Sequence, residues 1–266
     1  MKIARIRLQN GEVHHASVRD ETGDSMELLS GNPFDGLTST GEIVTSYSLL
    51  APVVPTSILC VGLNYRKHAE ETGARIPEYP VLFFKNPSAI LDPGAAIRLP
   101  RKLSSTQVDY EGELALVIGK DCKNASRADA LEYVMGYTCA NDVSARDWQK
   151  QWGGSQWCRG KSFDSFAPLG PWLVTPDEIP DPNALQITTR VNGEVLQYSN
   201  TSDMIFDVCI LIEFLSADTT LLAGTVILTG TPEGVGMSRK PPRWLQSGDL
   251  CSIQIESIGI LQNTVH

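Results

Sequence analysis

The hydrophobic positions from Ile58 to the C-terminus fall in short runs that are rich in β-branched residues. Typical runs are ILCVG, VLFFK, LALVIG, PWLVT and TVILTG, and glycine, proline, asparagine or aspartate lies between most of them. Short apolar runs bounded by such residues are typical of β-strands. Helical segments are too few for a regular βαβ alternation. The pattern therefore predicts a strand-dominated α+β fold.

A few segments have the spacing of a helix instead. ASRADALEYVMG, with Ser126 as its N-cap residue, VSARDWQKQW and MIFDVCILIEFLSA are predicted to be helical. A further short helix is predicted in GLNYRKHAEETG, where Asn64 is suited to cap the start and Gly73 to end it.

Residues 1–50 are predicted to form a small β-rich N-terminal domain. The run KIARIRL alternates apolar and basic residues, and Asn10-Gly11 is a hairpin turn signal before EVHHASV. Residues 51–57, APVVPTS, contain two prolines and are predicted to be a linker. Residues 58–266 then form the main domain.

Composition limits the classes of partner. The 266-residue chain has a formal net charge of −9, which argues against nucleic acid or an anionic membrane as its main partner. The most apolar segment, MIFDVCILIEFL, is too short and too interrupted by acidic residues to span a bilayer. The start of the chain has basic residues but no apolar stretch of the secretory type. Six cysteines without a C-x-x-C pair read as free thiols, so we expect a reducing, cytoplasmic setting.

Two glutamates in the run VDYEGELALVIG are the first candidate site. Side chains two residues apart share one face of a strand, so Glu111 and Glu113 are expected to point the same way. Like charges on one face repel unless a cation or a proton lies between them. A solvated strand end is the alternative, but the strongly apolar residues that follow argue against it.

A third carboxylate is expected from CANDVSARDWQ. Asp142, Arg146 and Gln149 have the spacing of one helical face, although a plain solvated face has the same spacing. Three carboxylates, from Glu111, Glu113 and Asp142, would form an all-oxygen site of the kind that suits Mg²⁺, Mn²⁺ or Ca²⁺. Zinc fits less well because no histidine or cysteine has ligand spacing here.

A histidine and a glutamate form the next candidate. His68 and Glu71 are three residues apart on the predicted short helix and therefore share a face. A carboxylate beside an imidazole fixes its tautomer and suits it to act as a general base. An ordinary surface contact between the two is equally consistent with this segment alone.

Basic and hydroxyl groups complete the set of candidates. Arg159 and Lys161 in WCRGKSFDSF offer the local positive charge that an anionic substrate needs in an acidic protein. Thr231 lies in the turn of VILTGTPEGVG, which lacks the lysine of a phosphate-binding loop. Taken singly, basic residues such as these are more often solvated than bound to a ligand, and the turn is also consistent with a plain tight turn.

Six ordered motifs closely resemble the fumarylacetoacetate hydrolase family: GLNYRKHAEETG, VDYEGELALVIGK, NDVSARDWQ, GKSFDSFAPLGPWLV, VNGEVLQ and ILTGTPEGVG. The resemblance runs from about Ile58 to the C-terminus. It is strongest to the short domain-containing members and to the acylpyruvate and 2,4-diketo-3-deoxy sugar acid hydrolases. The larger N-terminal domain of fumarylacetoacetase is not part of it, and its fourth acidic ligand has no counterpart that we can assign.

The resemblance implies a role for each candidate residue. Glu111, Glu113 and Asp142 match the family's metal ligands, with Mg²⁺ expected and Mn²⁺ or Ca²⁺ as alternatives. His68 and Glu71 match a dyad on a mobile lid helix that activates water, and Lys161 matches a catalytic lysine near the metal. Three further residues match positions that contact substrate: Arg146, Gln149 and Thr231. The implied fold is the family's mixed β-sandwich roll, usually as a homodimer.

The implied activity is metal-dependent hydrolysis of a carbon–carbon bond in a 1,3-dicarbonyl acid such as an acylpyruvate, through an enolate that the metal holds. The runner-up is decarboxylation of an oxaloacetate-type β-keto acid, or oxo–enol isomerisation, in the same site. A non-catalytic ligand-binding paralogue ranks lower, because no residue of the matched motifs is lost.

Overall fold

The structure, a computed structural model, describes residues 1–20 and 22–266. Its N-terminal strands form a meander in which the hairpin predicted at Asn10-Gly11 joins the first two strands. These strands are β1 (Lys2–Leu8), β2 (Val13–Val18), β3 (Met26–Asn32), β4 (Gly36–Val44) and β5 (Tyr47–Leu50). They are not a separate sheet, since β1 pairs with a strand from the middle of the chain. The division into two domains and a linker stays a prediction.

The middle of the chain supplies most of a large mixed sheet. Its strands are β6 (Ile58–Gly62), β7 (Val81–Lys85), β8 (Ile90–Leu91), β10 (Gly112–Ile118), β11 (Val134–Asn141), β13 (Ala167–Val174) and β16 (Val226–Leu228). The hydrogen-bonded order is β4-β3-β2-β1-β13-β11-β10-β16-β6-β7, with β5 on β1 and β8 on β13. Two short strands, β9 (Val108–Asp109) and β12 (Ser144–Ala145), pair with each other. The strand-dominated α+β fold predicted from the sequence is therefore confirmed.

A second, four-stranded antiparallel sheet packs against the middle of the large one. It has the order β15-β14-β17-β18, from β14 (Gln186–Val191), β15 (Glu194–Asn200), β17 (Leu250–Ile255) and β18 (Gly259–Thr264). Apolar side chains of both sheets, such as Leu114, Ile187 and Ile253, are fully or almost fully buried between them. The two facing sheets give the sandwich its core and fix the strand ends that carry the site.

Gly112 marks a point where the two sheets come very close. A Cβ atom at this position would lie 2.1 Å from Oγ1 of Thr189 and 3.1 Å from Cδ1 of Ile253. Only glycine fits such an approach, because any other side chain would push the sheets apart. Its place between Glu111 and Glu113 therefore lets a buried strand begin with two carboxylates turned away from the second sheet.

The helices are short: α1 (Arg66–Thr72), α2 (Cys158–Lys161) and α3 (Val208–Ser216). Gly73 ends α1 in the left-handed conformation, φ 63°, as predicted. Asn64 does not cap α1; its side chain donates to the carbonyl oxygens of Phe206 and Thr229 instead. No helix among the described residues is long and apolar enough to cross a membrane.

One helix prediction was wrong, and a second was correct only in part. The segment after Ser126 forms only a 3₁₀ turn, Ala130–Tyr133, and then joins β11, where pairing on both sides overrides its helical spacing. The segment after Asp142 first forms β12 and is helical only over residues 146–152, of which Trp148–Trp152 form a π-helical turn. In β11 and β12, hydrogen bonds to distant strands replace those of a helix, and local spacing does not reveal such pairing.

Candidate active site

Three carboxylates meet where β10 begins and β11 ends. Glu113 is on β10, Glu111 directly precedes that strand, and Asp142 directly follows β11. One oxygen from each of the three lies within 4.8 Å of the others, and all three side chains are buried. The antiparallel register pairs Gly112 with Asn141, which brings the two strand ends side by side. Glu111 and Glu113 thus lie together, as the alternation of side chains along a strand predicted. Asp142 joins them through strand pairing and not through a helix.

Two buried lysines hold the Asp142 side of this cluster. The Lys161 ammonium lies 2.5 Å from Glu111 Oε2 and 2.6 Å from Asp142 Oδ2. The Lys85 ammonium lies 2.5 Å from the other oxygen of Asp142 and also donates to the carbonyl oxygen of Val143. Burial opposes the charge of Lys161, but Asp142 and Glu111 outweigh this effect and raise its pKa.

Glu111 and Glu113 have opposite electrostatic surroundings. Burial alone would raise the pKa of Glu111, but the charges of Arg146 and Lys161 outweigh it and hold that pKa well below its usual range. Burial, together with the negative charges of Asp142 and Glu111, raises the pKa of Glu113 well above its usual range. Among the described residues Glu113 has no cationic partner within ion-pair distance; its Oε2 accepts one hydrogen bond, from the Gly230 N–H.

The donor set fits a divalent cation. It consists of hard oxygen ligands. An ionised Glu113 in this buried position would have no positive charge beside it among the described residues, which is why its pKa is raised. A divalent cation supplies the missing positive charge and favours ionisation of Glu113. The identity of the ion does not follow from three carboxylates alone.

Arg146 is held by two carboxylates. Its Nε donates to Asp109 Oδ2 at 2.9 Å, and its Nη2 lies 2.5 Å from Glu111 Oε1. Its Nη1 donates to Gln149 Oε1 at 3.0 Å. The guanidinium is buried, and through these contacts it stabilises the Glu111 carboxylate and orients the Gln149 side chain. Contact of Arg146 and Gln149 with substrate remains a prediction.

His68 and Glu71 lie on α1 as the sequence indicated. His68 Nδ1 is 3.3 Å from Glu71 Oε2, and Glu71 Oε1 accepts a hydrogen bond from the Gly234 N–H. Burial alone would raise the pKa of Glu71, but the hydrogen bonds from His68 and Gly234 outweigh it and lower that pKa. The carboxylate therefore stays ionised and holds Nδ1, which leaves Nε2 of the buried imidazole for a ligand.

Thr231 is tied into the strand turn beside the carboxylates. Its hydroxyl donates to the Gly112 carbonyl oxygen and accepts a hydrogen bond from Gln197 Nε2. Gln197 Oε1 in turn accepts from the Gly112 N–H. The substrate contact predicted for Thr231 would have to use its methyl group or a second lone pair of its oxygen.

One cavity of about 220 Å³ joins most of these groups. It is small beside the roughly 300–1,000 Å³ of typical drug-sized ligand pockets, so it suits a compact ligand. The predicted site residues in its wall are His68, Glu111, Glu113, Asp142, Arg146, Gln149, Lys161 and Thr231. Arg159 does not line this cavity; it is exposed on the other side of α2, with its guanidinium over the Phe163 ring.

Sequence reasoning missed two charged residues that hold the site together. Asp109 precedes Glu111 by two residues, so the alternation that linked Glu111 to Glu113 also placed Asp109 on that face. Lys85 follows Phe83 by two residues at the end of β7, and both side chains are buried. The alternation was therefore a usable signal for both residues, but their partners, Arg146 and Asp142, lie far along the chain.

Comparison with known proteins now decides the family. A family model described as the C-terminal part of fumarylacetoacetate (FAA) hydrolase matches residues 57–266. The chain belongs to this family. A second model, described as Rv2993c-like, N-terminal, matches residues 1–52. The resemblance seen in the six motifs is therefore confirmed, and the protein is an enzyme of the fumarylacetoacetate hydrolase family.

Similar proteins within the family carry different activities in their names. Oxaloacetate tautomerase fahd2, mitochondrial, from Xenopus laevis is 49% identical over 83% of this chain and 69% of its own length. A 2-hydroxyhepta-2,4-diene-1,7-dioate isomerase structure from Mycobacterium marinum is 42% identical, with a TM-score of 0.86 over 100% of this chain and 98% of its own. A fumarylacetoacetate hydrolase structure from Exiguobacterium antarcticum is 39% identical, with a TM-score of 0.88 over 100% and 99%.

Proposed function

We propose that this protein catalyses oxo–enol tautomerisation of a small 2-oxo dicarboxylic acid of the oxaloacetate type. The observation that carries the proposal is that the imidazole of His68 and the carboxylates of Glu111, Glu113 and Asp142 line one small cavity. Two of the similar proteins have names that refer to oxaloacetate or to a heptadienedioate, and both molecules have two carboxylates. The reactions in these names, tautomerisation and isomerisation, move a proton without breaking a carbon–carbon bond. These names favour tautomerisation over the hydrolysis expected from the sequence.

The residues of the cavity suit the two ends of such a proton transfer. Tautomerisation removes a proton from C3 and adds one to the oxygen on C2, or the reverse, so it consumes no co-reactant. His68, oriented through Nδ1 by Glu71, takes up or delivers the proton through Nε2. The Lys161 ammonium donates to Glu111 and Asp142, and its third proton, which has no further acceptor among the described residues, would stabilise negative charge on a substrate oxygen.

Glu111, Glu113 and Asp142 would hold the divalent cation. When bound, this ion supplies a Lewis acid that increases the acidity of the C3 protons of a 2-oxo acid. Arg146, which Asp109 holds in place, and Lys161 keep Glu111 ionised, and the Gly230 N–H fixes one oxygen of Glu113. We propose Mg²⁺ as the ion, with Mn²⁺ as the alternative.

Hydrolysis of a carbon–carbon bond is the second candidate. It is supported by the similarity to the hydrolase from Exiguobacterium antarcticum and by the dyad, which can equally take a proton from water. The two activities use the same groups, but in hydrolysis the proton that the dyad takes comes from a water beside the distal carbonyl, which that water attacks. Decarboxylation of a β-keto acid is an alternative use of the same site.

Direct assays on two matched substrates test the proposal. Oxaloacetate and 2,4-dioxopentanoate differ only in the distal group, a carboxylate in one and a methyl ketone in the other. We expect the Mg²⁺-loaded protein to accelerate the enol–oxo interconversion of oxaloacetate well above the spontaneous rate. Release of pyruvate and acetate from 2,4-dioxopentanoate, without faster interconversion of oxaloacetate, would instead support hydrolysis. Rapid release of pyruvate and CO₂ from oxaloacetate would support decarboxylation.

Replacement of His68 by alanine should lower kcat for the interconversion by about 100- to 10,000-fold, because proton transfer by a positioned side chain contributes about that much. His68 is not one of the groups proposed to bind the cation, which are the carboxylates of Glu111, Glu113 and Asp142. The affinity for Mg²⁺, measured by calorimetry, should therefore stay at the wild-type value. Steady-state kinetics and metal titration of H68A check both points.

The matched variant Glu71→Gln keeps an oxygen for the Gly234 N–H but loses the charge beside His68. We expect a smaller decrease in kcat for E71Q than for H68A, with an unchanged melting temperature. Wild-type kcat in H68A would exclude His68 as the proton-transfer group.

A further inference from the structure

The cations that line the cavity differ in whether they are already neutralised. Arg146 pairs with Asp109 and Glu111, and Lys161 pairs with Glu111 and Asp142. Lys150 also lines the cavity. Within residues 1–20 and 22–266, no carboxylate lies within ion-pair distance of it, although the protein has a net charge of −9.

Lys150 is held at the cavity by the local structure. It lies in the π-helical turn Trp148–Trp152, directly after the buried Gln149, whose side chain accepts from Arg146. Its own side chain is exposed, so the ammonium is accessible from the cavity mouth. Partial desolvation, with the charge of Arg146 adding to it, lowers the pKa of Lys150. A bound anion would relieve this unfavourable pairing of two positive charges.

The substrate's charge needs a second cation. The inner end of the cavity contains three carboxylates, and its two inner cations are already paired with them. A divalent cation at these carboxylates serves the 2-oxo acid end of the substrate. A second carboxylate at the other end of the molecule must then find its positive charge elsewhere in the wall.

We infer that Lys150 binds the second carboxylate of a dicarboxylic substrate and so sets the preference of the cavity for dianionic over monoanionic 2-oxo acids. The inference rests on the proposed function for the identity of the substrate class. It makes Lys150 a specificity-determining residue and assigns it no part in proton transfer. The sequence indicated Arg159 or Lys161 for this cation, but Arg159 lies outside the cavity and Lys161 is already paired.

Replacement of Lys150 by methionine separates the two substrate charges. For K150M we expect KM for oxaloacetate to rise about 10- to 100-fold, because a charge-assisted hydrogen bond is lost, while kcat stays near the wild-type value. KM for 2,4-dioxopentanoate, which has no distal carboxylate, should change little. Lys150→Arg should restore most of the affinity for oxaloacetate. Lys123→Met, which removes the same charge from an exposed residue outside the cavity, is the matched control and should behave as the wild type.

A binding measurement that needs no turnover keeps this test separate from the proposed function. Calorimetric titration of the Mg²⁺-loaded protein with mesoxalate, which has two carboxylates, and with pyruvate, which has one, should show that K150M loses affinity only for mesoxalate. That result would stand even if the wild type failed to interconvert oxaloacetate. Equal losses for both ligands, or no loss for either, would overturn the assignment of Lys150.

Discussion

Replacing Glu113 by alanine is expected to abolish both metal binding and turnover without destabilising the metal-free protein. Even the outer partners of metal ligands are worth about 10- to 100-fold in metal affinity, so loss of a direct ligand should weaken Mg²⁺ binding by more than about 100-fold. The folded protein should not be destabilised, because the buried Glu113 carboxyl group accepts a single hydrogen bond from the part of the chain that the structure describes, that of the Gly230 N–H. Calorimetric titration, steady-state kinetics and denaturant unfolding in a chelator measure the three quantities.

The expected free energy of unfolding of metal-free E113A is within about 1 kcal/mol of the wild type, since the mutation loses one hydrogen bond but also removes a buried carboxyl group whose ionisation its surroundings oppose. Glu194→Ala removes the same charge from an exposed position and should change neither metal affinity nor kcat. E113A that retained wild-type Mg²⁺ affinity would mean that the three carboxylates are not the ligands.

Replacing Asp142 by alanine, in contrast, should destabilise the protein. Without Asp142, the fully buried Lys85 ammonium keeps, among the described residues, only the Val143 carbonyl oxygen as a hydrogen-bond partner, and Lys161 keeps only Glu111 as an ion-pair partner. Removing one partner of a buried ion pair typically costs about 3–5 kcal/mol, because the other charge is left uncompensated. We expect that loss in the free energy of unfolding of D142A, measured by denaturant titration in a chelator.

Arg127→Ala is the control for an ordinary ion pair. Arg127 pairs with Asp207 near the surface, and its side chain is 57% exposed. Exposed pairs of this kind contribute about 0–1 kcal/mol, so R127A should be nearly as stable as the wild type. If D142A were as stable as R127A, the two buried lysines would not depend on Asp142 for their place in the fold.

The contrast between Glu113 and Asp142 arises from features that the sequence revealed only in part. Alternation along a strand predicted that Glu111 and Glu113 would share a face, and the structure brings their oxygens together. The same alternation did not indicate that Asp142 would be neutralised by Lys85, which lies 57 residues away, while Glu113 would have no ion-pair partner in residues 1–20 and 22–266. Such differences depend on which strands pair, and the strand order of the large sheet is not a local property.

Local spacing also predicted one correct grouping for a reason that is only partly right. Asp142, Arg146 and Gln149 were expected to meet on one face of a helix. All three line the same cavity, and Arg146 and Gln149 share the helical residues 146–152, but Asp142 lies before the short strand Ser144–Ala145, at the end of β11. The backbone of Ser144–Ala145 pairs with β9, so hydrogen bonds between distant segments decided the conformation. Periodicity indicates only the local conformation of a segment. The six motifs identified the family because they also contain the residues that pairing between distant strands brings together.

Hydrogen exchange at C3 of oxaloacetate tests the central claim most directly. In deuterated water, the Mg²⁺-loaded wild type should incorporate deuterium at C3 faster than the spontaneous reaction, as measured by NMR. H68A and E113A should both fall to the spontaneous rate, the first without losing the metal and the second without losing the fold. Exchange at the spontaneous rate in the metal-loaded wild type would contradict the account. Enzymatic exchange that persists in H68A would contradict the role of the dyad.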